Sequence, residues 1–410
     1  MSQPLTTQPN YDLLSPEALI NPYPLYKQIL SEDPVYFYEK GGFWFLSRYQ
    51  DVEAAFLDLR LSSDRQLFVA NQLQGLDFSM IQNYTRLTAD SMLEKDPPVH
   101  TKLRKIAQPA FTTKALENWR SVIQSITDDL LDQVEHQHHM DIAADISSKL
   151  PSLVIAKIFD IPEESQQDFI QWGIDIGNFW GFSGDGNVRE IALQADRSSF
   201  NFIALLERLI AEREQQPGHD LISLLIVACK ESGINLELLP PMCSLILTAG
   251  HQTTSEIISN GVYALLQNPQ QWQQLKENPQ LINTAVEELI RFDAPIQMLF
   301  RFAKEDLLIG GKKIPAGSVV GLGMGAANHD PEKFTNPEIL DITRSPNEHL
   351  SFGKGIHFCV GVILARIELA SFFSTLVKRM PNLSLDSERT PKVKRHNLVF
   401  KGFESLPVKF

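Results

Sequence analysis

Cys359 lies near the end of a glycine-rich stretch, residues 352–361, and an apolar segment predicted to be helical follows it. Glycines allow the backbone to fold tightly around a sulfur atom and bring peptide N–H groups within its reach. Those N–H groups, together with the positive end of a helix that starts at Cys359, favour the thiolate over the thiol. A thiolate in such a loop can act as a nucleophile or as the axial ligand of a haem iron.

The residues that flank Cys359 favour the second chemistry. Phe352 can cover the sulfur side of a flat macrocycle, His357 can donate to a carboxylate at its edge, and Gly361 allows the helix to approach closely beneath it. The stretch resembles the cysteine-ligand loop of the cytochrome P450 family, whose pattern is Phe, two residues, Gly, one residue, His or Arg, one residue, Cys, one residue, Gly. Every fixed position is present, and the resemblance implies haem b with Cys359 as the iron ligand.

His100 and Arg104 are four residues apart on a predicted helix that begins after residues 96–98, so they share one face of it. On spacing alone, an exposed basic face shared with neighbouring lysines is an equally good interpretation. The stretch resembles the propionate-binding helix of the same family, and the resemblance implies that both side chains bind haem carboxylates. Arg301, in a predicted extended segment, matches a further propionate-binding arginine of the family.

A long central helix is predicted over residues 239–266, and its middle holds residues that are poor helix formers. Gly250 permits the close approach of a ligand or a local bulge. Thr253 can place a hydroxyl there or bond back to its own helix. The resemblance implies that Ala249, Gly250, Gln252 and Thr253 serve oxygen activation.

Gln252 departs from the family pattern, in which an acid precedes the threonine. An amide can orient water but cannot exchange a proton as a carboxylate does. Either water or a carboxylate from another part of the chain supplies the proton relay, or proton delivery is slow and much of the reducing power is lost as peroxide. We favour a relay of water held by Thr253.

Glu288 and Arg291 are three residues apart on one predicted helical face. By itself this spacing is most often that of a surface ion pair of little energetic worth. The resemblance implies instead a buried pair that Arg344 completes, and that this network holds the cysteine loop in place.

The family resemblance also implies a substrate pocket that is almost entirely apolar. We therefore expect a lipophilic substrate: a terpenoid, a steroid, a fatty acid, or a polyketide or peptide intermediate. The pocket residues carried over from the family are Leu93, Leu245, Thr248, Ala249, Ile296, Leu299, Val399 and Phe400. An aromatic cluster at Phe179, Trp180 and Phe182 is interpreted as a substrate lid or, equally, as a loop anchor.

The composition narrows the classes of function. The chain has 410 residues and a formal net charge of −13, which argues against general nucleic-acid binding. Three cysteines are too few and too unevenly spaced for a disulfide framework, as expected in a reducing cytoplasm. The first twenty residues are polar and acidic, so we expect neither a signal peptide nor a membrane anchor.

The elements that must position these residues are mostly helical. Hairpins are predicted at residues 35–48, 307–314 and 397–406. The resemblance covers residues 21–410 and implies the cytochrome P450 fold: mainly α, with small antiparallel sheets and haem between the central helix and the cysteine helix. We expect one domain over residues 1–410, with residues 1–20 as an N-terminal extension, and a monomer.

The resemblance implies a monooxygenase that receives electrons from a ferredoxin or flavodoxin and its NAD(P)H-dependent reductase. Since such carriers are acidic, we expect a basic patch on the cysteine side. Its predicted members are Lys102, Lys105, Lys114, Lys354 and Arg366.

Three other functions remain open. A peroxide-driven oxygenase of the same fold would need no electron carrier, but the presence of Thr253 argues against it. A haem-based gas sensor is a non-enzymatic alternative. A cysteine hydrolase is disfavoured because no base and orienting residue accompany Cys359.

Overall fold

The structure is a computed structural model that describes residues 11–64, 78–180, 188–394 and 398–410. Phe182 and Asn397, which belong to the predicted lid and the predicted last hairpin, lie outside these ranges. Most of the described residues are helical. The helices are Pro16–Ile20 (α1), Tyr23–Glu32 (α2), Tyr49–Leu57 (α3), Gln82–Thr88 (α4), Val99–Ala107 (α5), Thr113–Leu116 (α6), Arg120–Glu135 (α7), Leu150–Ile158 (α8), Glu163–Trp180 (α9), Val188–Gln215 (α10), Leu221–Ser232 (α11), Leu239–Gln267 (α12), Pro269–Glu277 (α13), Ile282–Phe292 (α14), Met324–Ala327 (α15) and Val362–Arg379 (α16).

Short strands make up the rest of the regular structure, together with a π-helical turn at Ile142–Ser147 and several single 3₁₀ turns. The strands are Val35–Tyr38 (β1), Phe43–Leu46 (β2), Leu61–Ser62 (β3), His139–Asp141 (β4), Leu299–Ala303 (β5), Leu307–Ile309 (β6), Lys312–Ile314 (β7), Val319–Leu322 (β8), Ser384–Leu385 (β9), Lys392–Val393 (β10), Phe403–Ser405 (β11) and Pro407–Lys409 (β12).

The predicted central helix is confirmed as α12, which ends at Gln267, one residue beyond its predicted end. Pro240 and Pro241 lie in its first turn, where the N–H groups that proline lacks would have no intrahelical acceptor. The helix is buried along most of its length and packs against α8, α9 and the π-helical turn. These contacts place its middle inside the molecule.

The largest sheet has the strand order β1-β2-β8-β5-β3. The predicted hairpins β1-β2 and β6-β7 are confirmed, with Val35 opposite Leu46 and Leu307 opposite Ile314. The pair β2-β8 is parallel, in contrast to the all-antiparallel sheets expected from the sequence. Along β5, alternation of side chains puts Leu299 on one face with residues 301 and 303, and Phe300 on the other.

The last predicted hairpin is wrong as drawn from the sequence. Strand β11 pairs with β10 and not with residues 398–400. Phe400 instead forms an isolated antiparallel bridge with Ile296. Because this pairing joins segments a hundred residues apart, the local turn at Gly402 carried no signal of it.

The core consists of three hydrophobic clusters. The largest surrounds α12 and holds the buried faces of most of the helices, and the other two cover opposite faces of the five-stranded sheet. Phe43 and Phe45 enter one sheet cluster while Leu46 enters the other, as strand alternation requires. Among the residues that the structure describes, no helix is both long and apolar enough to cross a membrane.

Candidate active site

A large, mostly apolar cavity lies between the middle of α12 and the loop that carries Cys359. Its empty volume is about 2010 Å³, including its opening to solvent. We call it the central cavity. Helices α4, α5 and α16, strand β5 and the segment around Phe400 complete its wall.

The loop before Cys359 has the tight backbone that its glycines predict. Gly353 and Gly355 have φ of +68° and +70°, the left-handed region that side chains disfavour. A Cβ at Gly355 would lie 2.9 Å from the carbonyl oxygen of Phe56, so a side chain there is excluded. The N–H of Cys359 donates to the carbonyl of Phe352 at 3.0 Å, which closes the loop.

The electrostatics of Cys359 differ from the sequence-based expectation. Helix α16 begins at Val362 with Gly361 as its N-cap, three residues after the cysteine. Burial raises the pKa of Cys359, and the backbone N–H of Gly361 and the charges of Arg104 and Arg366 only partly offset it. The free side chain therefore favours the thiol. A bound metal ion, which deprotonates a coordinating thiol, is needed to hold the thiolate.

A charged cluster supports the aromatic residue that begins the loop. The Arg366 guanidinium lies over the Phe352 ring, 5.2 Å from its centroid, and binds both carboxylate oxygens of Glu287 at 2.7 and 2.8 Å. Nε2 of His349 lies 3.3 Å from the same carboxylate. Burial acts to raise the pKa of Glu287, but His349 and Arg366 outweigh it and lower the pKa to about 2.

Two histidines and two arginines meet at one edge of the central cavity. The rings of His100 and His357 are 4.1 Å apart, and Nε2 of His357 lies 2.9 Å from the Ser63 hydroxyl. Burial, followed by the charge of Arg301, lowers the pKa of His357 to about 3. Burial and the charge of Arg104 also lower the pKa of His100. Both imidazoles are therefore neutral hydrogen-bonding groups beside two cations.

This edge fits a group that carries carboxylates. Nδ1 of His100 is buried and has no hydrogen-bond partner among the described residues. Arg104 donates to the Phe358 carbonyl at 2.6 Å, but no carboxylate in the described part of the chain pairs with it. A Cβ on Gly361 would meet no atom within 4 Å, so the space beside the cysteine is open. A thiol in the cavity wall with cationic and imidazole donors at the edge is a donor set that fits haem b, whose iron a cysteine can ligate and whose carboxylates the edge can bind.

The α12 segment forms the side of the cavity opposite the cysteine helix. Ala249, Gly250, Gln252 and Thr253 all line the cavity. The Thr253 hydroxyl donates to the Ala249 carbonyl at 2.7 Å, the back-bond considered from the sequence. The helix shows no bulge at Gly250. A Cβ there would lie 2.7 Å from Cδ1 of Ile155, so this glycine allows α8 and α12 to pack closely.

Glu288, Arg291 and Arg344 come together in the interior. Glu288 and Arg291 are fully buried and joined by two hydrogen bonds of 2.8 Å. Arg344 reaches the same carboxylate at 3.0 Å, and the side chain of Asn347 donates to it at 3.0 Å. Two further bonds of Arg291 go to the carbonyls of Asn328 and Pro337. The network thus ties α14 to the segment that precedes the cysteine loop.

Seven of the eight predicted pocket residues line the central cavity: Leu93, Leu245, Thr248, Ala249, Ile296, Leu299 and Phe400. Val399 does not. It packs against a sheet cluster, and its carbonyl accepts from the N–H of Gln297 at 2.7 Å. Phe400, at the isolated bridge with Ile296, lines the cavity, whereas Val399 packs on the sheet.

The segment around Phe400 is tied to the end of α14. The N–H of Lys401 donates to the Pro295 carbonyl at 3.0 Å, and its ammonium binds Asp293 at 2.6 Å. Lys401 and Asp293 are both buried. The wall formed by Phe400 therefore has a fixed backbone.

Helix α4, which the sequence left as irregular, is a wall of the cavity held by α10. Asp196 of α10 accepts from the backbone N–H groups of Asn83 and Tyr84 at 2.8 and 3.0 Å, and from the Asn83 side chain at 2.9 Å. A carboxylate at this position satisfies N–H groups that lack intrahelical acceptors. Tyr84, Leu87 and Thr88 of α4 line the cavity.

Some lining residues were not predicted. Glu368 interrupts an apolar run in the sequence, and that interruption was its signal; it is buried, and its Oε2 has no partner among the described residues. Other lining residues without a sequence signal are Ser91, Met92, Glu94, Phe111, Ile176, Met242 and Ser244.

Comparison with known proteins identifies relatives over nearly the whole chain. The family model "Cytochrome P450" matches residues 201–402. The polyketide biosynthesis cytochrome P450 PksS of Bacillus subtilis (strain 168) is 38% identical over 404 residues, covering 95% of each chain. The biotin biosynthesis cytochrome P450 of the same organism is 37% identical and covers 97% of this chain and 98% of its own.

Solved structures give the same result. The crystal structure of P450BioI in complex with hexadec-9Z-enoic acid ligated acyl carrier protein superposes with a TM-score of 0.88 at 36% identity, covering 97% of this chain and all of the other. The structure of CYP109E1 from Bacillus megaterium in complex with testosterone superposes with a TM-score of 0.84 at 32% identity, covering 96% and 99%.

Proposed function

Since the chain belongs to the cytochrome P450 family and is a cytochrome P450 monooxygenase, we propose that it hydroxylates or epoxidises a lipophilic small molecule with electrons from a ferredoxin or flavodoxin. The observation that carries this proposal is the apolar central cavity, with Cys359 on one side and Thr253 on the other. We further propose a cytoplasmic enzyme of secondary metabolism that works as a monomer.

The proposed cofactor is haem b, whose iron the Cys359 sulfur would ligate. His100, Arg104, Arg301 and His357 would bind its two propionates, since they lie together at the edge described above. Phe352 and Gly361 would lie against the macrocycle. Haem ligated by a thiolate supplies the dioxygen chemistry that inserts one oxygen atom into an unactivated C–H bond or a double bond.

The residues of the chain have three roles in the proposed reaction: they orient the substrate, exclude stray water and deliver protons. The apolar wall that includes Leu245, Ile296 and Phe400 would orient the substrate and exclude stray water. The Thr253 hydroxyl would give up its bond to the Ala249 carbonyl and hold the water that delivers protons into the central cavity. The buried Glu288 network would keep the cysteine loop fixed during turnover.

The substrate class is inferred from the cavity and from the relatives. The relatives include enzymes named for polyketide and biotin biosynthesis and a structure containing testosterone. Hydroxyl groups of Thr88, Ser91, Ser244 and Thr248 interrupt the apolar lining. We propose a mainly apolar substrate with one polar group that these hydroxyls bind, such as a fatty acyl or polyketide intermediate or a steroid.

The proposed docking surface for the electron carrier is smaller than the sequence suggested. Lys354 binds Glu53 at 2.7 Å, and Arg366 binds Glu287, so both charges are neutralised within the chain. Lys102, Lys105 and Lys114 remain exposed and have no ion pair in the described ranges. These three lysines would bind the acidic carrier.

The test is a reconstituted assay with a ferredoxin, its reductase and a library of fatty acids, polyketides and steroids. We expect substrate-dependent spectral shifts and oxygen-dependent NAD(P)H consumption that yields a hydroxylated or epoxidised product. The reduced carbon monoxide complex should show the absorption band that gives the family its name, and Cys359→Ser should lose it. Ligand binding without NAD(P)H-driven product would favour a gas sensor, and product with peroxide alone would favour a peroxide-driven oxygenase.

A further inference from the structure

A second, polar cavity lies on the far side of α12 from the cysteine loop. It is bounded by α9, α12, the π-helical turn Ile142–Ser147 and the strands near the carboxyl end. Three residues line both this polar cavity and the central cavity: Gly177, Thr248 and Gln252. A Cβ on Gly177 would lie 3.5 Å from Oε1 of Gln252, so the amide of Gln252 stands at the boundary between the two.

Polar groups of α12 line the polar cavity in two successive turns. His251 and Gln252 are followed four residues later by Ser255 and Glu256, which places all four on one face of the helix. The Ser255 hydroxyl is buried and has no hydrogen-bond partner in the part of the chain that the structure describes. A buried hydroxyl of this kind is satisfied when ordered water is present.

The imidazole of His251 is neutral. Its Nδ1 lies 2.5 Å from the hydroxyl of Ser152 on α8. Burial, followed by the nearby charge of Lys394, lowers its pKa to about 4. It therefore offers the cavity a hydrogen-bonding ring nitrogen and no charge.

Glu256 is the titratable group of this cavity. Its side chain is only 2% exposed, yet its carboxylate binds the ammonium of Lys394 at 2.6 Å, and the Lys394 side chain is 37% exposed. Gly402 makes room for the carboxylate, since a Cβ there would lie 1.5 Å from Oε2 of Glu256. Burial raises the pKa of Glu256, and Lys394 and then Lys401 oppose this. Glu404 is the other carboxylate that lines the cavity.

We propose that the polar cavity is the route by which protons reach the central cavity, with Glu256 as the proton-exchanging group and Gln252 as the residue that orients water between the cavities. This inference rests on the proposed function. In each turnover one dioxygen, two electrons from the carrier and two protons convert one C–H bond into C–OH and release one water. Each proton leaves the Glu256 carboxyl for cavity water and is replaced from solvent beside Lys394.

The different roles of Gln252 and Glu256 follow from the chemistry of their side chains. Gln252 can accept a hydrogen bond at Oε1 and donate from Nε2, but it cannot change its protonation state. Glu256 can, and it lies one turn further along the same face. The carboxyl that this chain lacks at position 252 is thus present four residues away, with a partner that reaches solvent.

Glu368 is the competing candidate, because its carboxyl also lines the central cavity. It is 1% exposed, and burial raises its pKa well above the usual range. No ion pair joins it to a solvent-exposed group within the described ranges. A proton lost from Glu368 would have no comparable path of replacement.

Coupling measurements distinguish these candidates. With a true substrate, Glu256→Gln should lower the ratio of product to NAD(P)H and raise peroxide release. Product formation should fall toward the lower end of the about 100- to 10,000-fold range that general acid–base assistance covers. Adding Gln252→Glu to Glu256→Gln should restore coupling. Glu338→Gln, at an exposed carboxyl outside both cavities, is the matched control and should stay coupled.

Full coupling in Glu256→Gln would overturn the proposal, as would uncoupling that appears only in Glu368→Gln. A wild-type protein that forms no product with any substrate would instead refute the proposed function. Melting curves of each variant ensure that any loss reflects proton transfer and not unfolding.

Thiol labelling tests the route without turnover. Ser255→Cys in the haem-loaded protein should react with methyl methanethiosulfonate, because the polar cavity opens to solvent. Ser259→Cys, one turn further and buried outside the cavity, should not react. The native Cys229 and Cys243 are buried and serve as internal controls in the same mass spectrum. A Ser255→Cys protein that labels no faster than Ser259→Cys would overturn the proposal.

Discussion

At the scale of single residues, the edge of the central cavity shows how a chain prepares a site for a charged cofactor. His100 and His357 are held neutral by burial and by the cations beside them. Arg104 retains a guanidinium that lacks a carboxylate partner among the described residues. Arranging cations in this way is unfavourable until anionic groups bind between them, so cofactor binding and local stability should be coupled.

We expect Arg104→Ala to weaken haem retention. A buried, charge-assisted hydrogen bond contributes on the order of 1.5–3 kcal/mol, so haem transfer to an excess of acceptor protein should be about tenfold faster or more. Arg104→Lys should restore part of the effect because it keeps the charge. Lys105→Ala, an exposed neighbour on α5, is the control. Unchanged haem loss and melting temperature in Arg104→Ala would contradict the assignment.

We also expect Thr253→Ala to uncouple oxygen consumption from product. Without the hydroxyl, water in the central cavity loses a donor and acceptor, and more reducing power should leave as peroxide. The measurement is the ratio of peroxide to NAD(P)H with a true substrate, and Ser259→Ala, buried further along α12 and outside both cavities, is the control. If Thr253→Ala stays coupled, the Thr253 hydroxyl is not part of the relay.

At the scale of elements, the features that the sequence predicted best are those formed by residues close together in the chain. The cysteine loop was found because its glycines impose a fixed spacing, and the α12 segment because its residues are unusual in a helix. Pairings between distant segments carried no such signal. The partner of β11, the partner of Glu256 at position 394, and the orientation of Val399 away from the cavity all depend on tertiary contacts. The same holds for Gly250, whose close neighbour is Ile155 of another helix.

The contact between α4 and α10 gives a prediction at this scale. Asp196→Ala should release the first turn of α4, because it removes the acceptor for two backbone N–H groups; losing such a cap costs about 0.5–2 kcal/mol. Hydrogen exchange at Asn83 and Tyr84 should accelerate, and substrate should associate faster. Glu207→Ala is the control, since its pair with Arg86 joins the same two helices but is exposed. Equal exchange rates in both variants would contradict the role of Asp196.

At the scale of the whole molecule, ion pairs on the cysteine side connect α14 to distant segments of the chain, through Arg366 and Arg344. Glu287 of α14 binds Arg366 of α16, while Glu288 binds Arg291 and Arg344. Removing one partner of the buried Glu288 pairs leaves an uncompensated charge, so these pairs matter more than surface pairs do, whereas Glu287 and Arg366 are partly exposed. They also reduce the free positive charge of that face in a chain whose net charge is −13.

Glu287 should make the free energy of unfolding depend on pH in the acid range. Its pKa is lowered to about 2 in the folded protein from an ordinary value of 4.5, so its contribution is complete above pH 4.5 and is lost as the pH falls toward 2. Glu287→Gln should lower the free energy of unfolding at pH 7 by up to about 3 kcal/mol, and the difference should shrink in acid. Urea unfolding of the wild type and of Glu287→Gln, at pH 7 and in acid, measures this difference in the free energy of unfolding. Glu348→Gln, at an exposed pair, should change little. A difference that does not depend on pH would contradict the ionic origin.

The wall at Phe400 suits the engineering of new selectivity, because the side chain at this position shapes the pocket while the backbone that carries it is held in place. The backbone is fixed on both sides, by the bond from Gln297 to Val399 and by the bonds of Lys401 to Pro295 and Asp293. A library of side chains at position 400 would therefore vary the outline of the cavity on one constant frame. Variants selected at position 400 should differ in substrate selectivity and little in folding stability. Variants at Lys401 should differ mainly in folding stability.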